Sequence, residues 1–413
     1  MAKPIGARCN LACEYCYYLP KQNMADGPAR MAPEVLQAYV ESAITAAPGP
    51  TVHFVWHGGE PTLAGIDFYR RAVALQRRAL PDGWTCVNNL QTNGTLIDDR
   101  WAAFLAEERF AVGLSLDGPE EVHDAGRPDR RGRPSAARAL RGLARLRAHG
   151  IEPDVLCTVT ARSAAAGIDL YRFFLDHQVR WLQFLPVVQR AADGQVSPAS
   201  VGADAFGDLL CTVFDEWVRH DVATIAVQTF LEAMLAEAGH QPSLCVMSET
   251  CGRALALERD GSVYSCDHFV DPAHRLGHVQ VDGLAALVDG DVQVAFGRAK
   301  RDGLTAACRA CPVLRMCRGG CPKDRFAAAP DGEPGHNALC AGYRRFFEHA
   351  APMLARLNGL VRRRVPVATV MAELAAEEAH LEAPWRAATR NGPCPCGSGR
   401  KFKQCCLGSH RPR

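Results

Sequence analysis

Between residues 33 and 220, short apolar runs alternate with longer stretches in which apolar side chains recur every three or four positions. The runs predict buried parallel strands, and the stretches between them predict amphipathic helices. Strands are predicted at 3–5, 52–56, 86–91, 112–116, 155–160 and 181–187, and helices near 33–46, 66–79, 98–107, 135–148, 168–177 and 204–219. Six successive βα units predict an α/β fold built as a partial (β/α)6 barrel, with its functional groups at the C-terminal ends of the strands. Further on, residues 254–265 alternate around Asp260-Gly261 and predict a β-hairpin. Residues 346–383 predict two helices separated at Pro366, with a second break at Pro384-Trp385.

A chain of 413 residues with 48% hydrophobic content supports a large core and more than one domain without stabilising crosslinks. Its net charge of +2 offers no electrostatic footprint for nucleic acid, and the basic run from Arg127 to Arg133 reads as a solvated loop. The first residues contain no apolar run of signal-peptide length and no later stretch approaches the span of a bilayer, so a cytoplasmic location is expected. Eighteen cysteines would be unusual as disulfides in a reducing compartment, and their clustering argues for metal. Cys86, Cys157 and Cys211 fall outside the clusters, in apolar runs, and read as small buried hydrophobes.

Cys9-Asn-Leu-Ala-Cys13-Glu-Tyr-Cys16 places three thiolates at CxxxCxxC spacing. Three thiolates can hold three irons of a cubane 4Fe-4S cluster and leave the fourth open to chelate a small molecule. A zinc knuckle is the alternative at this point. The strand ends are polar. After the second predicted strand comes His57-Gly58-Gly59-Glu60-Pro61-Thr62, where two glycines allow close backbone approach and a carboxylate is free to accept from an ammonium group. Gln91-Thr92-Asn93-Gly94 and Ser115-Leu116-Asp117-Gly118-Pro119 follow the next two, although Asp117 also suits a plain turn. His123-Asp124 reads as a solvated loop pair.

From about residue 240 the spacing Cys245-x5-Cys251-x14-Cys266 precedes Cys308-x2-Cys311-x5-Cys317-x3-Cys321 and Cys340, eight ligands for two sites that suit zinc or iron-sulfur alike. The predicted hairpin brings Cys251 and Cys266 together. At the C-terminus, Cys394, Cys396, Cys405 and Cys406 crowd a segment too short to build a core without metal. Its cations Arg400, Lys401 and Lys403 suit an acidic partner.

The triplet followed by Tyr17-Tyr18 resembles the signature of radical S-adenosylmethionine (SAM) enzymes. Residues 240–350, with Gly-Ser-Val-Tyr-Ser-Cys-Asp and Cys-Arg-Gly-Gly-Cys-Pro, resemble a SPASM domain, and the tail resembles the SEC-C zinc motif. Within that group the chain most resembles the anaerobic sulfatase-maturing enzymes. The likeness rests on Cys-Asn-Leu-x-Cys-x-Tyr-Cys, Gly-Gly-Glu-Pro-Thr-Leu-Ala-Gly, Leu-Gln-Thr-Asn-Gly-Thr-Leu-Ile-Asp, Val-Gly-Leu-Ser-Leu-Asp-Gly-Pro and Cys-Asp-His-Phe-Val.

The resemblance implies a barrel over 1–235, a SPASM domain over 240–350, C-terminal helices over 351–383 and a zinc motif over 390–408. It implies three 4Fe-4S clusters. The first, on Cys9, Cys13 and Cys16, binds SAM. The auxiliary clusters take Cys245, Cys251, Cys266 and Cys321, and Cys308, Cys311, Cys317 and Cys340. Gly58, Gly59 and Glu60 would hold the SAM amino group, Ser115 and Arg127 would contact SAM, and Leu185 would pack near its adenine.

By the same likeness, an electron cleaves SAM to a 5'-deoxyadenosyl radical, which takes hydrogen from the Cβ of a sulfatase Cys or Ser. Loss of a proton to Asp267 and of a second electron then gives formylglycine. Tyr18 would contact substrate, and His57 stands where relatives vary. The implied partners are an unfolded or nascent sulfatase, a flavodoxin- or ferredoxin-type electron donor, and an export chaperone at the zinc tail. The alternatives are a radical SAM maturase forming a thioether or carbon-carbon link in another ribosomal peptide, and a non-enzymatic metal-binding adaptor.

Overall fold

The computed structural model describes residues 1–21 and 28–407. The apolar runs form a parallel sheet of β1 (Thr51–Trp56), β2 (Thr85–Thr92), β3 (Ala111–Ser115), β4 (Asp154–Val159), β5 (Trp181–Pro186) and β6 (Ala226–Val227), hydrogen-bonded in chain order. With no reversal of order, every right-handed crossover lays its helix on the same face. The sheet therefore curls toward a partial barrel instead of opening into a doubly wound one. Alternate residues of β1, Val52, Phe54 and Trp56, are buried against Tyr39 of the helix Pro33–Thr45 and Phe68 and Tyr69 of the helix Ile66–Ala79.

Two expectations about the sheet change. Residues 3–5 are not a strand: Pro4 cannot donate to a ladder and Gly6 turns the chain at φ +59°. Ala2 instead bridges both Trp56 and Leu257, so the N-terminus is wedged between the sheet and the second half of the molecule. The sixth strand is β6, whose two residues are too few to register as a pattern.

Beyond the barrel, β7 (Ala256–Leu257) and β8 (Ser262–Tyr264) form the expected hairpin, turning where the Asp260 carboxylate accepts from the Ser262 amide at 2.9 Å. An unanticipated β9 (Arg275–His278) pairs with β8. The helix Cys340–Arg362 packs along the barrel helix Ala203–Glu216 so closely that a Cβ on Gly342 would lie 2.1 Å from the Ala203 carbonyl oxygen. This anchors Cys340 on the barrel.

The second C-terminal helix, Thr369–Arg386, runs through Pro384, where the expectation places a break. Only its last turn forfeits a hydrogen bond there, which a helix end tolerates. No helix among the described residues is long and apolar enough to cross a membrane. Cys157 is fully buried and Cys86 and Cys211 half-buried against the core. Residue 408, the end of the expected zinc motif, lies outside the described residues.

Candidate active site and cluster sites

The loop bearing Cys9, Cys13 and Cys16 is held by the turns that follow three different strands. The Gly59 amide donates to the Gly6 carbonyl at 2.8 Å and the Glu60 amide to the Arg8 carbonyl at 2.9 Å. A Cβ on Gly59 would meet the Arg8 oxygen at 1.9 Å, so only glycine fits this approach. Asn93, after β2, donates to Asn10 Oδ1 at 2.9 Å, and its amide nitrogen lies 3.7 Å from Cys9 Sγ. After β3, the Ala12 and Glu14 amides donate to the Pro128 and Gly126 carbonyls, and Arg130 Nε donates to the Cys9 carbonyl at 2.6 Å. Burial pushes the Cys9 thiol up to about 12, with the charges of Cys13 and Cys16 adding to the effect. A thiol in such a place ionises when a coordinating metal deprotonates it, so the site suits a metal-bound cluster.

Glu60 is fully buried, and its carboxylate is not free as expected. Oε1 accepts from the Thr62 amide (3.0 Å), the Thr62 hydroxyl (2.5 Å) and the Thr92 hydroxyl (2.8 Å), and Oε2 accepts from the Asn93 amide (2.8 Å). Glu60 therefore locks the end of β1 to the end of β2, with one lone-pair direction left on Oε2. Both oxygens serve backbone amides, so Glu60→Gln turns an amide NH2 against an N–H whichever way it rotates. It should destabilise the fold by about 1–3 kcal/mol and lower iron retention at Cys9, Cys13 and Cys16, as read by thermal melting and iron analysis.

The run from Arg127 is not a solvated loop at its start. Arg127 is buried, donating from Nε and Nη2 to both oxygens of Asp117 at 2.8 and 3.1 Å, and from Nη2 to Thr158 Oγ1 at 3.0 Å. Burial alone would raise the Asp117 carboxyl, but Arg127 outweighs it and holds it below the usual range. The His123-Asp124 pair is likewise not solvated. His123 is buried and accepts the Asp117 amide at Nδ1, while Asp124 accepts the amides of Ser135 and Ala136 at the start of the helix Ala136–Ala148. Ser115 closes β3 and accepts from Gln91 Nε2 at 3.2 Å, and half-buried Leu185 in β5 lies across from Thr158 in β4.

Asp267 stands where the two halves of the molecule meet. The Lys3 ammonium, fully buried, pairs with its Oδ1, and the Tyr17 hydroxyl donates to its Oδ2. Burial alone would raise this carboxyl; Lys3 outweighs it, helped by His57 and His268, and holds it well below the usual carboxylate range. The charge of Asp267 reaches Cys16 on one side and Cys266 on the other. His57 Nδ1 is buried without a hydrogen-bond partner among the described residues, and burial followed by Lys3 pushes the ring down to about 4.

Tyr18 and Tyr17 take different partners. Tyr18 is buried, gives its hydroxyl to Glu258, and presents its ring to the Lys3 ammonium 3.8 Å away, while Tyr17, 39% exposed, is the tyrosine on Asp267. Lys3 and Tyr17 carry no role in the sequence reading. Nothing in the pattern distinguishes Lys3 from a surface lysine, and adjacent tyrosines leave open which one turns inward.

The cysteines beyond residue 240 fall into two neighbourhoods. Cys266 feels the charges of Cys245 and Cys251, and Cys321 feels that of Cys266. Cys317 is pushed up to about 12 by burial and, in the same sense, by Cys340, Cys308 and Cys311. Among the described residues, Cys394, Cys396, Cys405 and Cys406 form a group of metal-ligating side chains whose ligand atoms all lie within 4.8 Å of one another. Their sulfurs lie 3.4 to 3.6 Å apart along the contacts Cys394–Cys396, Cys396–Cys405 and Cys405–Cys406. Four thiolates at zinc-bonding length in a tetrahedron stand ~3.8 Å apart, which these spacings approach.

Residues 4–161 match the Radical SAM superfamily, residues 245–312 an iron-sulfur cluster-binding domain (SPASM) and residues 390–408 the SEC-C motif. Fold and site thus define a radical SAM enzyme with an iron-sulfur extension. The serine-type anaerobic sulfatase-maturating enzyme of Bacteroides thetaiotaomicron is 38% identical over 391 residues, 91% of this chain and 94% of that protein. The cysteine-type enzyme of Clostridium perfringens is 32% identical over 371 residues, 88% and 98% of the two chains. The solved structure of native anSMEcpe with bound AdoMet and Cp18Cys peptide matches with a TM-score of 0.79 at 32% identity, over 86% of this chain and 97% of that one. The chain belongs to the anaerobic sulfatase-maturating enzymes.

Proposed function

We propose that this chain oxidises a serine or cysteine of a sulfatase polypeptide to formylglycine. The observation that carries the reading is the position of Asp267, an ionised carboxylate within electrostatic reach of both Cys16 and Cys266, at the junction of barrel and extension. Bound at Cys9, Cys13 and Cys16, an iron-sulfur cluster with SAM supplies a radical able to take hydrogen from an unactivated carbon.

Oxidation of the substrate CH2OH to CHO removes two hydrogens, one as an atom from Cβ and the other as a proton plus an electron. The proton goes to Asp267. A carboxylate held so low is a weak base, adequate because a radical beside oxygen makes the hydroxyl far more acidic than that of an ordinary alcohol. Proton transfer therefore follows hydrogen abstraction. Lys3 keeps Asp267 charged, and Tyr17 fixes the direction of its second oxygen. Cys266, the preceding residue, would hold an iron-sulfur cluster able to take the electron on the same side.

The site fits SAM through the Gly58-Gly59 approach to the cluster loop, the remaining Oε2 direction of Glu60, and the strand ends at Ser115, Arg127 and Leu185. The eight cysteines beyond residue 240 are read as two cubanes, a reading supported by the match of residues 245–312 to an iron-sulfur cluster-binding domain. Serine as the preferred target is supported by 38% identity to a serine-type enzyme against 32% to a cysteine-type one. A cytoplasmic location and a flavodoxin- or ferredoxin-type donor complete the reading. Mass spectrometry of Ser-x-Pro-x-Arg and Cys-x-Pro-x-Arg peptides incubated anaerobically with reconstituted protein, SAM and dithionite tests it. The expected result is loss of two hydrogens from the serine peptide; two unchanged peptides would exclude the reading.

The tail is read as a zinc fold that docks a partner, an export chaperone, through exposed Arg400, Lys401 and Lys403. Its link to the body includes a Trp385–Phe402 ring contact at 6.4 Å. A chain ending at Ala387 should keep its iron and full activity on peptides while losing about one zinc per molecule. Metal analysis and the peptide assay check this, and lost peptide activity would make the tail part of the catalytic body.

A further inference from the structure

Lys300 and Arg325 are held inside the extension with no carboxylate partner among the described residues. Lys300, in the helix Asp291–Asp302, is fully buried, and its ammonium donates to the carbonyls of Cys245 (2.6 Å), Val246 (3.0 Å) and Ser248. Half-buried Arg325 donates from Nε to Gly319 O at 3.0 Å, from Nη1 to Lys300 O at 2.5 Å and from Nη2 to Arg318 O at 3.1 Å. Burial is the largest effect on both cations and pushes them down, Lys300 to about 8, while Cys251, Cys245 and Cys321 act to raise Lys300 and Cys308, Cys317, Cys321 and Cys251 to raise Arg325. Lys300 is bonded to the backbone of Cys245 in one set, and Arg325 to the backbone of Arg318 and Gly319, between Cys317 of one set and Cys321 of the other.

Carbonyl dipoles solvate a buried cation but do not neutralise it, and a buried cation without a counter-charge is strongly disfavoured. A cubane on four thiolates is an anion and becomes more negative on reduction. Net charge and the hydrogen-bonding surroundings set the potential of such a centre, so a fixed cation beside it favours the reduced form.

We infer that Lys300 and Arg325 are the counter-charges of the auxiliary iron-sulfur centres, Lys300 for the one on Cys245, Cys251, Cys266 and Cys321, and Arg325 for both. The inference rests on the reading of these eight cysteines as two cubane sites. A cluster held by the first set would take the one electron that leaves the substrate carbon as its proton passes to Asp267, and Lys300 would favour that reduced form. Arg325, between the two sets, would favour the reduced form of either centre.

The test uses the full chain with Cys9, Cys13 and Cys16 replaced by Ala, reconstituted with iron and sulfide, so that only the auxiliary centres titrate in EPR-monitored potentiometry. Lys300→Gln keeps two donors and loses the charge. It should lower one of the two potentials by tenfold or more in reduced-to-oxidised ratio, about 59 mV for a one-electron couple, and leave the other in place. Arg325→Gln should lower both, and Arg325→Lys should restore them toward the parent. Unmoved potentials at full iron content overturn the inference, as does an equal shift of both centres in Lys300→Gln, the mark of general loosening. If Lys300→Gln holds less iron than its parent, the Arg325 pair decides: equal potentials in Arg325→Gln and Arg325→Lys overturn it. A parent protein without about eight irons would mean that the cubane reading itself has failed, before either cation is altered.

Discussion

An Asp267→Asn chain should still convert SAM to methionine and 5'-deoxyadenosine while making formylglycine about 10²- to 10⁴-fold more slowly, the span that a positioned general base commands. Hydrogen abstraction draws on the radical alone, whereas completion of the oxidation needs a group to take the hydroxyl proton, and an amide cannot. The substitution also leaves the Lys3 ammonium buried opposite a neutral side chain. Breaking a buried pair from one side costs about 3–5 kcal/mol, so a slow variant must be separated from a poorly folded one. The double variant Lys3→Met/Asp267→Asn removes both charges and should recover most of the melting temperature without recovering formylglycine. Undiminished product from Asp267→Asn would remove this residue from the role of base.

Replacing Cys9, Cys13 and Cys16 together by Ala should abolish SAM cleavage and retain about eight of about twelve irons. The three cysteines occupy a loop held by the turns after β1, β2 and β3, while the other eight lie beyond residue 240 on different elements. Emptying the loop leaves those elements their own packing, including the contact of Gly342 with the Ala203–Glu216 helix. Iron and sulfide analysis beside a 5'-deoxyadenosine assay measures both quantities. Loss of all the iron would show that the auxiliary sites depend on the barrel cluster.

What the sequence made legible follows from what each feature repeats. Five strands of the sheet and the hairpin at Asp260-Gly261 show as periodicity, and the cysteine sets show as spacing. β6 has two residues and so no period. Residues 3–5 look apolar enough for a strand, but Pro4 and Gly6 deny them a ladder. Side-chain destinations were harder to read. Glu60 carries the charge expected of a ligand-binding carboxylate, yet both its oxygens hold the ends of β1 and β2 together. His123 and Arg127 lie in a polar stretch that reads as solvated, and are buried because Asp117 between the strand ends calls for a cation and an acceptor for its amide. Lys3, Lys300 and Arg325 are cations whose partners lie tens to hundreds of residues away in the chain or are backbone carbonyls, so no local pattern marks them.

Transfer of a hydrogen atom from the substrate Cβ to the carbon derived from SAM is the step on which every assigned role depends. It is measured by incubating the reconstituted protein anaerobically with SAM, dithionite and a Ser-x-Pro-x-Arg peptide whose serine carries deuterium at both Cβ positions, followed by mass spectrometry of both products. The expected result is 5'-deoxyadenosine heavier by one deuterium, together with a peptide whose formyl group keeps the other. Deuterium-free 5'-deoxyadenosine beside an unchanged serine would contradict it.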